Sequence, residues 1–259
     1  MDFLRTSRRR TLLSEAVYII LNLAVIAAVF LTVYYVGSPF AAFGLILLSK
    51  WRVFAVRPQY WFANIVANIV DVIVGLSFVV FLSNTNGELL LQLAFTALYA
   101  GWLLFLKPQS KQKYVVAQAG VGLFLGTAAL MQVSYDWYAS FVVIGMWLIG
   151  YASARHALGA YHEPHTQILS LIWGLIIAEI GWMTYHWTLG YPFPFSDQLQ
   201  IPQAAIFVGL IGFMSERIYA SYHRHKEIRS NDVLLPILFS VSLIIVCVVI
   251  EVIRRIQTV

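Results

Sequence analysis

Long apolar runs set the pattern of this chain, and polar residues cluster in the short gaps between them. The runs fall at about 16–36, 38–49, 60–83, 89–106, 114–133, 137–154, 166–189, 202–220 and 233–253. Most have the roughly 17–25 residues that a helix needs to cross a hydrocarbon core. The punctuation is helical: Ser38-Pro39 and Pro202 start helices, Lys107-Pro108 stops one, and Asp136 and Asn231-Asp232 stand at N-cap positions. Trp51, Tyr60, Trp61, Tyr114, Trp137, Tyr138 and Trp187 lie near run ends, as an interfacial aromatic belt requires. No soluble domain, low-complexity tract or internal repeat interrupts the series. The pattern predicts an all-α polytopic integral membrane protein, a single bundle of about nine transmembrane helices over residues 1–259.

The second run, PFAAFGLILLS, is short enough to be re-entrant, and charge decides against that. If it crosses, one side of the membrane holds Arg5, Arg8, Arg9, Arg10, Lys50, Arg52, Arg57, Lys107, Lys111, Lys113, Arg155, Arg217, Arg224, Lys226 and Arg229, leaving Arg254 and Arg255 opposite. If it turns back, that bias collapses. By the positive-inside rule the N-terminus is therefore cytoplasmic and the C-terminus outside, with Lys50 and Arg52 snorkelling to the inner interface. The N-terminal SRRRTLL resembles an export signal, but a long apolar run follows without a small-residue cleavage site, so a retained anchor is expected. Short loops and a strong charge bias point to a bacterial cytoplasmic (plasma) membrane.

Composition agrees. Hydrophobic residues make up 60% and charged residues 11%, where soluble domains carry about 25% charged. The net charge of +5 is the topology signal rather than a nucleic-acid footprint. The lone Cys247 excludes an intramolecular disulfide and a thiolate metal cage. No lysine stands within a run, which excludes a mid-membrane Schiff base.

Against this apolar background, Asp71, Glu179 and Glu216 stand out, each costing on the order of 2.5 kcal/mol or more at the bilayer centre. Asn64, Asn68, Asp71 and Gly75 share one helical face, as do Glu179 and His186. Gly209, Gly212 and Glu216 share another, where glycines permit close helix approach. Orientation puts Asp71 and Glu179 near mid-bilayer, Glu216 in the cytoplasmic third and His186 in the outer third. If the helices adjoin, these six polar residues form a proton, cation or solute pathway; otherwise they are hydrogen-bonding glue between helices. Gly122-x-x-x-Gly126 marks a packing face in the fifth run. The outer stretch GYPFPFSDQLQIPQ reads as an interfacial loop.

A second cluster lies on the cytoplasmic side. His156, His162, Glu163 and His165 fall between the sixth and seventh runs, and His223 and His225 follow the eighth. Imidazoles with a carboxylate are ligands for Zn or Fe, but the spacing matches no motif, and the default reading is a pH-sensitive or lipid-headgroup-facing basic rim. No cofactor is otherwise implied. Three function classes fit: a transporter or channel-like protein for a proton, cation or small polar solute; a structural or assembly subunit of an envelope complex; and an enzyme on lipid or isoprenoid headgroups using the His/Glu site. The first two are favoured, so catalysis is not the leading expectation. Expected partners are the lipid bilayer and, in the second class, copies of the chain or other membrane subunits.

Overall fold

A computed structural model describes residues 12–257 apart from 86, 187–188 and 194–195. Arg5, Arg8, Arg9 and Arg10 of the export-like stretch and Trp187 lie outside the described residues, as do the side chains of Asp197, Arg254 and Arg255.

Among the described residues nine α-helices follow one another: α1 Leu12–Val36, α2 Pro39–Ser49, α3 Trp61–Ser83, α4 Leu89–Gly101, α5 Gln112–Val133, α6 Ala139–Ala160, α7 Thr166–Tyr185, α8 Gln203–His225 and α9 Ser230–Gln257. A π-helical turn, Trp102–Leu106, extends α4. Eight of these segments are long and apolar enough to cross a membrane, so the chain is a multi-pass α-helical membrane protein. Among the described residues strand is confined to one hairpin, β1 Gly190–Phe193 and β2 Ser196–Pro202. It occupies the loop expected to be irregular. Phe193 packs against Phe95 with ring centroids 5.8 Å apart, and Leu199 is buried in the core.

The exception is α2. Its 11 residues rise about 16 Å, roughly half of a 30 Å hydrocarbon core. Two short 3₁₀ turns, Trp51–Val53 and Pro58–Tyr60, then lead to α3. The return expected of the second span is therefore shared between a half-length helix and an irregular segment. Residues 51–60 are exposed except Val53. Charge also fails to end helices where expected: α6 continues past Arg155 and His156, and α8 runs on through His223 to His225. Asp136 is not an N-cap, since α6 starts at Ala139 behind Tyr138.

Lipid gives helices no hydrophobic reason to associate, so close packing must hold them together. Small residues supply it. A Cβ at Gly122 would lie 2.8 Å from Val70, and one at Gly126 2.6 Å from Ile73, so the fifth-run glycine face seats α5 on α3. Gly212, whose Cβ would meet Leu123 at 2.7 Å, brings α8 onto α5 in the same way. One core joins α1–α4 to the near side of α5, and a second joins α5, α6, α7 and α8. α7 packs on α6 and only lightly on α8, while α9 packs on α8.

Candidate functional site

The polar stripe on α3 leads to the most polar point of the interior. Asp71 is the eleventh residue of α3, about 15 Å above its start, and is 8% exposed. Two lysines converge on its Oδ2: Lys107 Nζ donates at 2.7 Å, and Lys50 Nζ also donates to it. Trp102 Nε1 donates to Oδ1 at 3.0 Å. One carboxylate thus faces two ammonium groups, and the side chains of Lys50 and Lys107 are only 12% and 28% exposed.

Local structure explains each arrival. Lys50 caps α2, so a half-length helix delivers it at the level of Asp71 instead of at the interface. Gly75, one turn beyond Asp71, lets α2 approach: a Cβ there would meet Ile46 Cγ2 at 2.9 Å. On the other side the π turn closes with Lys107 N–H donating to Trp102 C=O at 2.9 Å. Its wider winding lets Trp102 and Lys107, five positions apart, address the same carboxylate. The backbone acceptors at the end of this turn are met from α5, where the Gln118 amide donates to Leu106 C=O at 2.7 Å and Gln109 C=O at 3.0 Å. Gln118 Oε1 in turn accepts from His156 Nε2 on α6 at 3.0 Å. Tyr18 on α1 donates to Leu103 C=O at 3.0 Å. Elements from α1 to α6 therefore meet around the cluster.

Polar groups continue past it along α4. Gln92, Thr96 and Tyr99 follow a helical i, i+4, i+7 face ending beside Trp102. Tyr99 is 1% exposed and Gln92 4%, and Gln92 Oε1 accepts no hydrogen bond among the described residues. On the opposite side of the cluster, exposed Arg52 and Arg57 and the open backbone of 51–60 call for water or lipid headgroups.

The residues singled out by sequence divide. Asn64 and Asn68 lie half-buried below Asp71, the Asn68 amide donating to Asn64 C=O at 2.9 Å. Glu216 is elsewhere, accepting from Tyr161 at 2.7 Å and pairing with Arg217 at 3.1 Å. Glu179 lies on the exposed side of α7, and α7 is not packed against α3. His186 caps α7, exposed, against the rings of Trp182 and Tyr185. Asp71 and Glu179 therefore do not line one seam. Two participants escaped the sequence reading: Lys50, expected to snorkel to the interface, and Lys107, expected to end a helix on the basic side; Glu251, also not singled out, is 8% exposed within α9, which packs on α8. The signal for Lys50 was present, because a twelve-residue run ending in lysine cannot carry that lysine across a bilayer.

The histidine cluster is likewise dispersed. His156 is held by Gln118, Glu163 accepts from the Tyr219 hydroxyl and, at 3.3 Å, from the His165 backbone N–H, and His162 and His165 are exposed. Among the described residues no three His, Cys, Asp or Glu side chains approach closely enough to hold a metal ion. Instead Tyr161, Tyr219 and His223 stack, with centroids 5.0–6.1 Å apart, and join the α6–α7 loop to α8 through Glu216 and Glu163. Burial and the Glu216 carboxylate push the Tyr161 phenol upward, so it stays a donor.

No family model matches the chain, and no curated protein or solved structure is significantly similar to it.

Proposed function

We propose that this multi-pass membrane protein is a proton-linked transporter or channel-like protein whose working centre is Lys50–Asp71–Lys107. The observation that carries this reading is the charge count at Asp71. Two half-buried ammonium groups share one carboxylate, so with all three ionised a positive charge remains uncompensated where desolvation is costly. The cheapest relief is release of a proton from one lysine, and such a group reloads whenever a proton donor reaches it. Lys50, the more buried of the two, is the group that releases it. A permeating cation is disfavoured, because Asp71 is already engaged on both oxygens. The wetted 51–60 segment supports access from the cytoplasmic side, and the Tyr99, Thr96, Gln92 face supports a continuation outward.

Purified protein in liposomes holding a pH-sensitive dye tests this. An imposed membrane potential should drive proton entry through the wild type. Lys50→Met, which leaves a balanced Asp71–Lys107 pair and an intact fold, should fall to the level of empty liposomes. No flux in the wild type, or equal flux in Lys50→Met, would sink the proposal.

Glu179 favours a second reading, that of a subunit in a membrane complex. An exposed carboxylate about 20 Å along α7 from its start is costly in lipid and acquires a partner if another transmembrane segment supplies a donor there. Migration of the detergent-extracted protein at the size of a single chain, with Glu179→Leu behaving identically, would count against it.

A further inference from the structure

Away from Asp71, a cleft of about 810 Å³ lies between α5, α6, α7 and α8, within the 300–1,000 Å³ typical of ligand sites. It exists because α8 is pinned to α5 by Gly209 and Gly212 while touching α7 only lightly, so it opens sideways toward lipid between α7 and α8. On α8 it runs from Tyr219 to Gly209, about 15 Å, close to the hydrocarbon depth of one leaflet. Its walls are apolar over most of that length, with Phe124, Ile172, Trp173 and Phe213 among them. Its floor includes Gly120, where a Cβ would meet no atom within 4 Å.

Polar groups sit at one end only. Lys113 and Arg217 bring two positive charges there and Glu216 one negative. Glu216 is occupied by Arg217 and Tyr161. Lys113 is exposed, makes no ion pair among the described residues and rests over the Tyr114 ring at 4.9 Å. The mouth thus keeps one net positive charge at the basic, cytoplasmic end.

We propose that this cleft binds a phospholipid of the cytoplasmic leaflet bearing one net negative charge. The phosphate lies between Lys113 and Arg217, and one acyl chain runs over Gly120 toward Gly209. A zwitterionic lipid would bring a second ammonium group to a mouth that already has a surplus of one.

Native mass spectrometry of the full chain in neutral detergent tests this, with dioleoylphosphatidylglycerol and dioleoylphosphatidylcholine as probes. The wild type should retain one phosphatidylglycerol and bind phosphatidylcholine at least about fivefold more weakly. Lys113→Gln should lower that preference by about fivefold, the effect of one surface cation on an anionic lipid. Gly120→Trp, whose Cβ would meet no atom within 4 Å, puts an indole into the cleft and should abolish retention; if it fails to fold, Ala157→Phe fills the same space. Retention unchanged in the filled variant places the lipid elsewhere and overturns the proposal, as does equal binding of the two lipids to the wild type.

Discussion

Charge balance at Asp71 makes the effects of two neighbouring substitutions opposite in sign. Asp71→Asn keeps the side-chain volume but leaves Lys50 and Lys107, 12% and 28% exposed, facing one another without a counter-charge. Breaking a buried pair in this way costs about 3–5 kcal/mol. In Lys50→Met the stem keeps its length and packing, one buried charge disappears, and Asp71 retains Lys107 and Trp102. Replacing a buried charge with a well-packed apolar side chain is neutral or stabilising by about 1–4 kcal/mol. Thermal unfolding of the detergent-solubilised protein reads both, at roughly 2–4 °C per kcal/mol for a chain of this size. Asp71→Asn should unfold at least about 6 °C lower, and Lys50→Met at or above the wild-type temperature. A Lys50→Met protein destabilised as much as Asp71→Asn would refute the reasoning, because it would mean that both lysines are needed as counter-charges. The Asp71→Asn/Lys107→Met double variant should recover part of the single-variant loss, since it removes one of the two stranded cations.

Three further outcomes follow from the same geometry. Gly75→Val forces α2 away through Ile46 and should cost about 1–3 kcal/mol in thermal unfolding; Ile46→Ala should restore both stability and proton flux, and no rescue would show that α2 is positioned by other contacts. The Tyr219 hydroxyl holds the Glu163 carboxyl below the usual glutamate range near 4.3, so Glu163 adds stability that is present above that value and lost as pH falls through its depressed one. Glu163→Gln should therefore lower the unfolding temperature near neutrality, leave it unchanged at low pH and so flatten the acid limb below about pH 4, and identical acid limbs would dismiss the Tyr219 contact. Glu179→Gln should leave both unfolding temperature and proton flux unchanged, because Glu179 is exposed and makes no ion pair among the described residues; a loss of flux would put Glu179 on the pathway.

Helix positions were readable because a membrane span must be long, apolar and closed on its own hydrogen bonds. Near the basic gaps, Gln118 holds the α4–α5 loop and Tyr161 joins the α6–α7 loop to α8 through Glu216. Gly122, Gly126, Gly209 and Gly212 were readable as packing faces because small residues have a recognisable role between membrane helices. The lateral order of the helices was not readable. In a soluble helix the apolar side marks the core, whereas in lipid both sides are apolar, so nothing in the pattern said that Glu179 faces outward while Asp71 faces inward. Lys50 and Lys107 were missed for a related reason. A lysine at the end of an apolar run normally snorkels to water, and only the half length of α2 and the π turn after α4 turn these two toward Asp71.

That π turn fixes the angular phase of everything beyond it. Five residues occupy roughly the arc that four would fill in an α-helix, so the chain after Leu106 is rotated by about 100° from where regular winding would point it. Deleting any one residue between Trp102 and Leu106 would straighten the helix, keep it long enough to cross, and swing Lys107 off Asp71. A rise of one residue in helix length thus separates a chain with surplus charge at its centre from one without, and the charge state of the interior is encoded in a count of residues as much as in their identity.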